Sequence, residues 1–305
     1  MISVIIPTLN AEGYLPEQLK CLKSQNIDAE TEIIIIDSES DDRTCEIARE
    51  EGATVIPILR KDFDHGGTRN IAYRASHGDI VCYLTQDAIP ADENYLSELL
   101  KGFDDPEVMM ISGRQVPKAD ANPVERLTRE FNYPDKTYTR SKEDISTLGI
   151  KAYFFSDACS AYRRSILDEM GGFESPILTN EDMLMAARVI NAGYRIGYAG
   201  SARVYHSHNF KLSYQYRRNF DVAVFLKQHE AEIDSGSTTG EGIRMVLYTI
   251  KELIKHGHIL SVFRCIGESG AKFLGNRAGR RYEGMTREKI LARTTNKGYW
   301  KGKTW

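Results

Sequence analysis

The sequence predicts an α/β fold built on a parallel sheet with helices on both faces. Two observations carry this expectation. Short, continuous apolar runs rich in Ile and Val alternate with helical spacings over the first 110 residues, the pattern of buried parallel strands joined by crossover helices. The polar residues of most chemical interest, Thr8 and Asn10, Asp37, and Asp87, fall at the ends of those runs, where open α/β sheets gather ligands.

Taken in order, Ser3–Pro7 reads as a strand and Gly13–Ser24 as a helix, with Tyr14, Leu15, Leu19 and Leu22 spaced for one face. Glu32–Ile36 is a second strand, Thr44–Glu51 a helix, and Thr54–Ile58 a third strand. Thr68–Ser76 follows as a helix and Asp79–Leu84 as a fourth strand, leading into Thr85-Gln86-Asp87. Further on, Met109–Arg114 is predicted as a strand, Val124–Phe131 as a helix, and Tyr133–Gly149 as loop. Lys151–Ser156 is predicted as a strand, Arg163–Met170 and Asn180–Asn191 as helices, and Arg195–Tyr198 and Ala202–Tyr205 as two short strands. A long helix is expected over Ser213–Gln228. The Ser/Gly/Thr stretch 235–240 reads as a linker, followed by two amphipathic helical stretches.

At 305 residues, 41% apolar and 27% charged, the chain can bury a real core, which excludes disordered, collagen-like and coiled-coil classes. Its longest run free of Asp, Glu, Lys and Arg is Met1–Ala11, short of the roughly 18 apolar residues a spanning helix needs. No charged leader precedes an apolar stretch, so no secretory signal is expected. The five cysteines, Cys21, Cys45, Cys82, Cys159 and Cys265, lack metal or disulfide spacing and read as reduced thiols of a cytoplasmic protein. The net charge of −3 conceals an asymmetry: residues 240–305 carry 14 Lys and Arg against 5 Asp and Glu. The tail is therefore +9 and the body −12, a division that suggests a polyanionic surface as partner for the tail.

Several clusters could carry chemistry. Asp37 opens an acidic turn, Asp37-Ser38-Glu39-Ser40-Asp41-Asp42, suited to a ribose or a base N–H; the competing reading is a helix cap. Asp64-His65-Gly66-Gly67-Thr68-Arg69-Asn70 joins a glycine pair, a helix start and a cation, which suits a diphosphate, against a plain loop capped by Thr68. Neither a GxGxxG fingerprint nor a P-loop is present. Asp87 is placed like a ligand to a hard cation, and His206 or His208 could supply an imidazole. Their i, i+2 spacing on an extended segment predicts that one of the two faces the metal. Glu181-Asp182 could take a proton from an attacking hydroxyl, or simply occupy a first helical turn after Asn180.

In this order the segments resemble family 2 nucleotide-sugar glycosyltransferases of the GT-A fold. The resemblance rests on Ser3-Val4-Ile5-Ile6-Pro7-Thr8-Leu9-Asn10, the Asp37–Asp42 turn, Asp87, Gly171-Gly172-Phe173, Asn180-Glu181-Asp182 and His206, and covers roughly residues 1–220. Phe63–Asn70 and Thr85-Gln86-Asp87-Ala88 look most like the bacterial rhamnosyltransferases. The resemblance implies a Rossmann-like, mixed but mostly parallel sheet flanked by helices. It implies a catalytic domain over 1–234, divided near 110 into nucleotide-binding and acceptor halves, a linker over 235–240, and a basic amphipathic helical segment over 241–305.

It also implies roles. Pro7, Thr8, Asn10 and Asp37 would line the base and ribose pocket, with His65, Gly66, Arg69, Asn70 and Gln86 holding the rest of the nucleotide sugar. Asp87 would bind a divalent cation, Mg²⁺ or Mn²⁺, with His206 as a further contact. Asp182 would be the base, with Glu181 beside it. The implied reaction moves L-rhamnose from a dTDP-linked donor, with inversion, to a glycan or lipid-linked acceptor of cell-wall or capsular polysaccharide. A UDP-hexose or UDP-N-acetylhexosamine donor is the nearest alternative; a nucleotidyltransferase or a non-catalytic scaffold are alternatives from other classes. The expected location is cytoplasmic, peripheral on the inner face of the membrane, with an anionic surface meeting 241–305 and no nucleic-acid partner. Two departures stand out. Thr85-Gln86-Asp87 lacks the first acid of an Asp-x-Asp motif, and Gln215-Tyr216-Arg217-Arg218-Asn219 has Asn where processive synthases carry Trp.

Overall fold

The apolar runs of β-branched residues in the N-terminal third form strands that are largely buried in the middle of the sheet and partly exposed at its edge. In the computed structural model, which describes residues 1–233 and 239–301, Ile2–Thr8 (β1) is buried along almost its whole length. It is followed by Leu15–Lys23 (α1), Thr31–Asp37 (β2), Thr44–Glu50 (α2), Thr54–Pro57 (β3), His65–Ala75 (α3) and Ile80–Leu84 (β4). Next come Ile89–Pro90 (β5), Tyr95–Leu100 (α4), Val108–Val116 (β6), Pro123–Asn132 (α5), Tyr138–Arg140 (β7) and Ile145–Leu148 (α6). Cys159–Arg163 (β8), Arg164–Glu169 (α7), Glu181–Asn191 (α8) and Arg195–Tyr205 (β9) complete the sheet region. Leu212–Gln228 (α9), Thr239–Lys255 (α10), Ile259–Gly279 (α11), Arg287–Leu291 (α12) and Lys297–Lys301 (α13) are all helical.

The chain forms two compact units. The first comprises Met1–Val116, Tyr133–Pro176 and Glu181–His206; the second comprises Pro117–Asn132, Ile177–Asn180 and the chain from Ser207 onward. In the first unit one sheet runs β3-β2-β1-β4-β8-β6-β9-β5, with β7 on β9. β3, β2, β1 and β4 are mutually parallel, and β8 lies antiparallel between β4 and β6. Val4, Ile6, Ile35, Cys82 and Leu84 pack with Leu15, Leu19, Leu96 and Leu99 from the covering helices. The β1–β2 register sets Thr8 beside Asp37, so two of the polar strand ends are brought together by the sheet itself.

Several expectations are corrected. Lys151–Ser156 is no strand: Gly149–Tyr153 is a 3₁₀ turn, and the strand is Cys159–Arg163. Tyr153 and Phe155 are buried by packing without a ladder partner, and an apolar run alone cannot tell these cases apart. The Tyr133–Gly149 loop contains β7 and α6. The two short strands at 195–205 are one, with a register shift opposite Gly113/Arg114 where the apolar pattern breaks. α3 begins at His65 rather than Thr68, because Asp64 is the cap and accepts from the Gly67 N–H at 2.8 Å.

In the second unit, α11 lies against α9. A Cβ on Gly275 would stand 2.2 Å from the Tyr216 carbonyl oxygen and one on Gly279 2.3 Å from that of Phe220, so these glycines let the two backbones touch. Phe220 and Val224 pack with Leu178, Ile290 and Trp300, while Leu253 and Cys265 pack with Val124. The compact units therefore do not divide at 234–241, because α9 is held by the helices that follow it. Of the expected linker, residues 235–238 lie outside the described residues, and Thr239 and Gly240 open α10. Among the described residues no helix is long and apolar enough to cross a membrane.

The glycine contacts predict opposite effects on one helix. Gly270→Ala, with open space around it, should raise stability by about 0.5–1 kcal/mol through helix propensity. Gly275→Ala should lower it by about 1–3 kcal/mol, the range for overpacking. Urea unfolding of both variants checks this; equal effects would contradict the close α9–α11 approach.

Candidate active site

The first unit brings four charged side chains into one buried cluster. Arg69, from α3, forms ion pairs with Asp157, its Nε 3.1 Å from Oδ2 without hydrogen-bond alignment, and with Glu181, its Nη1 2.9 Å from Oε1. All three side chains are almost wholly buried. Asp157 also accepts from the Ser160 and Tyr162 hydroxyls at 2.7 and 2.6 Å. Its own N–H donates to Asp182 Oδ2 at 3.0 Å, which ties the first turn of α8 to the segment before β8. Asp182 alone in the cluster is only partly buried.

One guanidinium thus faces three carboxyl groups. Burial would depress Arg69, but Glu181, Asp157 and Asp182 outweigh it and keep the guanidinium firmly charged. Burial pushes Glu181 up, yet Arg69 and then His65 bring it below its ordinary value. Burial also dominates at Asp157 and leaves it raised despite Arg69. Asp182 has no direct ion pair with Arg69, so burial and then the neighbouring Glu181 and Asp157 push it to about 8. Burial and the crowding of three carboxyl groups around one cation thus raise the proton affinity of both Asp182 and Asp157.

Asn70, expected at the nucleotide, is engaged elsewhere. Its Nδ2 donates to the Phe173 carbonyl and its Oδ1 accepts from the Phe173 N–H, each at 2.8 Å. Gly172 sits at φ +85°, where a Cβ would lie 2.5 Å from Asn70 Oδ1, so the Gly171-Gly172-Phe173 turn is clamped onto α3. Gly66 is likewise needed for packing, since its Cβ would meet the Glu174 carbonyl oxygen at 1.9 Å. Arg69, expected on a diphosphate, is committed to carboxylates, although it also borders the cavity described next.

That cavity, of about 280 Å³, lies at the ends of the parallel strands and is lined by Pro7, Thr8, Ser38, His65, Arg69 and Gln86 among others. Thr8 Oγ1 donates to Asp37 Oδ1 at 2.8 Å, and the Ser40 N–H donates to Asp37 Oδ2 at 2.8 Å, so Asp37 braces the wall as a turn acceptor. Asn10, at φ +52°, accepts from the Asp41 N–H at 2.8 Å. Gln86 meets the Leu9 backbone twice, accepting from N–H at 2.8 Å and donating to the carbonyl at 3.2 Å. Arg60 and Phe63 also line the cavity, and the Phe63 ring meets His65 edge-on at 5.1 Å; of these two, Arg60 lies outside the motifs read from the sequence. Gln18, fully buried, donates from Nε2 to the carbonyls of Thr85 and Ala88, both at 2.8 Å, and so holds the turn that carries Asp87. A polar residue on the apolar stripe of α1 was the available signal.

Asp87 and His206 stand together in the same unit, with His206 Nε2 3.4 Å from Asp87 Oδ1. Gln115 Nε2 donates to Ser156 Oγ at 2.8 Å, which orients the amide so that its Oε1 accepts from His206 Nδ1 at 2.8 Å. The proton is then on Nδ1, and a lone pair on Nε2 faces a carboxylate oxygen, an arrangement that requires a proton or a cation between them. One imidazole nitrogen and one carboxylate, with the Gln115 amide fixing the tautomer, form a donor set that fits a divalent cation. His208 belongs to the second unit, where its ring stacks on Phe210 at 4.8 Å and its N–H donates to Glu125.

Comparisons with known proteins bear on family and fold. Residues 3–171 match the family model for Glycosyl transferase family 2. The chain is 39% identical over 302 residues to the O-antigen chain rhamnosyltransferase RfbN of Salmonella typhimurium, covering 98% of this chain and 96% of the relative. It is equally identical over 300 residues to the O-antigen chain rhamnosyltransferase WbaN of Salmonella anatum, covering 98% and 95%. Among solved structures it is similar to the mannosyltransferase PcManGT from Pyrobaculum calidifontis in complex with GDP-Man and Mn²⁺, with TM-score 0.66, 15% identity, and 93% and 88% of the two chains covered. It is also similar to residues 1–349 of S. aureus TarS in complex with UDP, with TM-score 0.52, 17% identity, and 94% and 92% covered. The fold is GT-A.

The raised Asp182 has a consequence for stability. Its folded pKa of about 8 exceeds an unfolded value of about 4, so the stability it contributes is complete below pH 4 and is lost as pH rises through 8. Asp182→Asn should therefore gain thermal stability over the unsubstituted protein as pH rises from 5 to 9. Melting temperatures across that range check the sign; a gap that shrinks with pH would contradict it.

Proposed function

Because the chain belongs to glycosyl transferase family 2, we propose that it transfers L-rhamnose from a dTDP-linked donor to a hydroxyl of a glycan or lipid-linked acceptor, with inversion. The near-full-length similarity to two O-antigen chain rhamnosyltransferases supports the choice of sugar. The observation that carries the mechanism is Asp182: it is the partly exposed carboxyl of an otherwise buried cluster, and its affinity for a proton is raised.

The residues then have the following tasks. The cavity at the strand ends takes the nucleotide, with Pro7, Thr8 and Gln86 on its walls and Asp37 and Asn10 bracing the loops that form it. His65 and Gly66 begin the helix that delivers Arg69, and Asn70 keeps that helix in register with the Phe173 turn. Glu181 holds Arg69 in place at the border of the cavity. Asp182, in its ionised form, takes the proton of the attacking hydroxyl as the hydroxyl oxygen bonds to the anomeric carbon. The bond from that carbon to the diphosphate breaks, and its electron pair leaves with the diphosphate oxygen. A single displacement of this kind converts a β-linked donor sugar to an α-linked product. A divalent cation, Mg²⁺ or Mn²⁺, bound by Asp87 and His206 would supply positive charge for the leaving diphosphate. The protein would act in the cytoplasm, with its basic C-terminal helices toward the anionic inner face of the membrane.

Two outcomes follow. Asp182→Asn should lower turnover by about 10²–10⁴-fold with donor binding near normal, and should abolish a rise in turnover as pH passes through about 8. Steady-state kinetics and isothermal titration with a dTDP-sugar measure both, and near-normal turnover would remove Asp182 from the role of base. Asp87→Ala should weaken Mn²⁺-dependent donor binding at least ~10-fold; an unchanged Mn²⁺ titration would exclude Asp87 from the site.

A further inference from the structure

In a helix of a closed globular unit the apolar stripe is covered, but in α10 and α11 much of it is not. Ile243, Leu247 and Ile254 recur along one face of α10, and each exposes more than half its surface. Along α11 the stripe runs Ile259, Phe263, Ile266 and Phe273, with Phe263 72% and Phe273 64% exposed. Continuous exposed apolar surface of this kind marks an interaction site. It opens into a cavity of about 720 Å³ whose apolar lining includes Ile243, Leu247 and Phe273.

The same cavity is lined by Lys272, Arg277, Arg280 and Arg281. Arg280 donates from Nε to Asn276 Oδ1 at 3.2 Å, and among the described residues no carboxylate pairs with Lys272, Arg277 or Arg281. Cations suit the C-terminal end of a helix, which accounts for their sign but not for the apolar cavity beside them. Four cations within ten residues repel one another, and an anion among them relieves this. A neutral apolar ligand would leave the charge unanswered, and a second copy would set one basic face against another. An anionic amphiphile answers both features.

We propose that the cavity between α10 and α11 binds one anionic phospholipid, its phosphate among Lys272, Arg277 and Arg281 and its acyl chain along Ile243, Leu247 and Phe273. The inference rests on the reading that the C-terminal helices face an anionic membrane, and it narrows that surface to one lipid site. Bound there, a lipid of the bilayer would anchor the second unit without any spanning segment.

The test uses the full chain with short-chain phosphatidylglycerol, short-chain phosphatidylcholine and glycerol phosphate, each below any micellar concentration, in isothermal titration. It is paired with co-sedimentation on phosphatidylcholine vesicles with and without phosphatidylglycerol. Phosphatidylglycerol should bind with one molecule per chain, and the other two probes at least ~10-fold more weakly. R277E/R281E and, separately, Leu247→Ser, all at surface positions, should each reduce phosphatidylglycerol binding at least ~10-fold while dTDP-sugar binding stays unchanged. Equal binding of phosphatidylcholine, equal binding of glycerol phosphate, or a dimer that Leu247→Ser dissociates would each overturn the proposal. Failure of dTDP-sugar binding in the unsubstituted protein would instead strike the transfer reading, so the two failures are distinct.

Discussion

The structure of the site depends on one buried cation. Arg69 joins α3 to the segment before β8 through Asp157 and to the first turn of α8 through Glu181, three stretches that are distant in sequence. Withdrawing a guanidinium and two carboxylates from water costs several kcal/mol per ion, and only close pairing with further hydrogen bonds offsets it. The cluster supplies such bonds to Asp157 from the Ser160 and Tyr162 hydroxyls, and Arg69 Nη1 also donates to the His65 carbonyl. Three carboxyl groups share one cation, and Asp182, half-buried and without a direct pair to that cation, has its proton affinity raised.

The surrounding sequence makes sense as support for that arrangement. Gly66 allows α3 to approach Glu174, Gly172 allows the following turn to approach Asn70, and the Asn70 amide locks the contact from both sides. Likewise, Gln18 fixes the turn bearing Asp87, and Gln115 fixes the tautomer of His206. Each of these groups is a neutral amide or a glycine. They set geometry without adding charge to a site already short of cations.

This division explains what was legible in the sequence. The strand-end residues Thr8, Asp37 and Asp87 could be found because a parallel sheet puts functional side chains at the ends of apolar runs, and the runs were clear. Asp182 and Glu181 could be found by their place at a helix start. Asp157 could not, since its strand lies antiparallel between β4 and β6 and the apolar run before it, through Tyr153 and Phe155, drew the strand assignment to the wrong segment. Asn70 and the glycine pair looked like a phosphate cradle because close backbone approach needs the same residues whether the neighbour is a diphosphate or Glu174. In the second unit the glycines of α11 were visible, but not that α9 would be their partner, because that depends on a pairing between distant helices.

The central claim is that Asp182 holds a proton near neutrality because Arg69 is already committed to Glu181 and Asp157. The most direct measurement is a ¹³C NMR titration of the Asp182 side-chain carboxyl in the intact protein, assigned by its disappearance in Asp182→Asn. The account predicts a midpoint near 8. A midpoint near 4, the ordinary value for an aspartate, would contradict it and return Asp182 to the role of a helix-start acid.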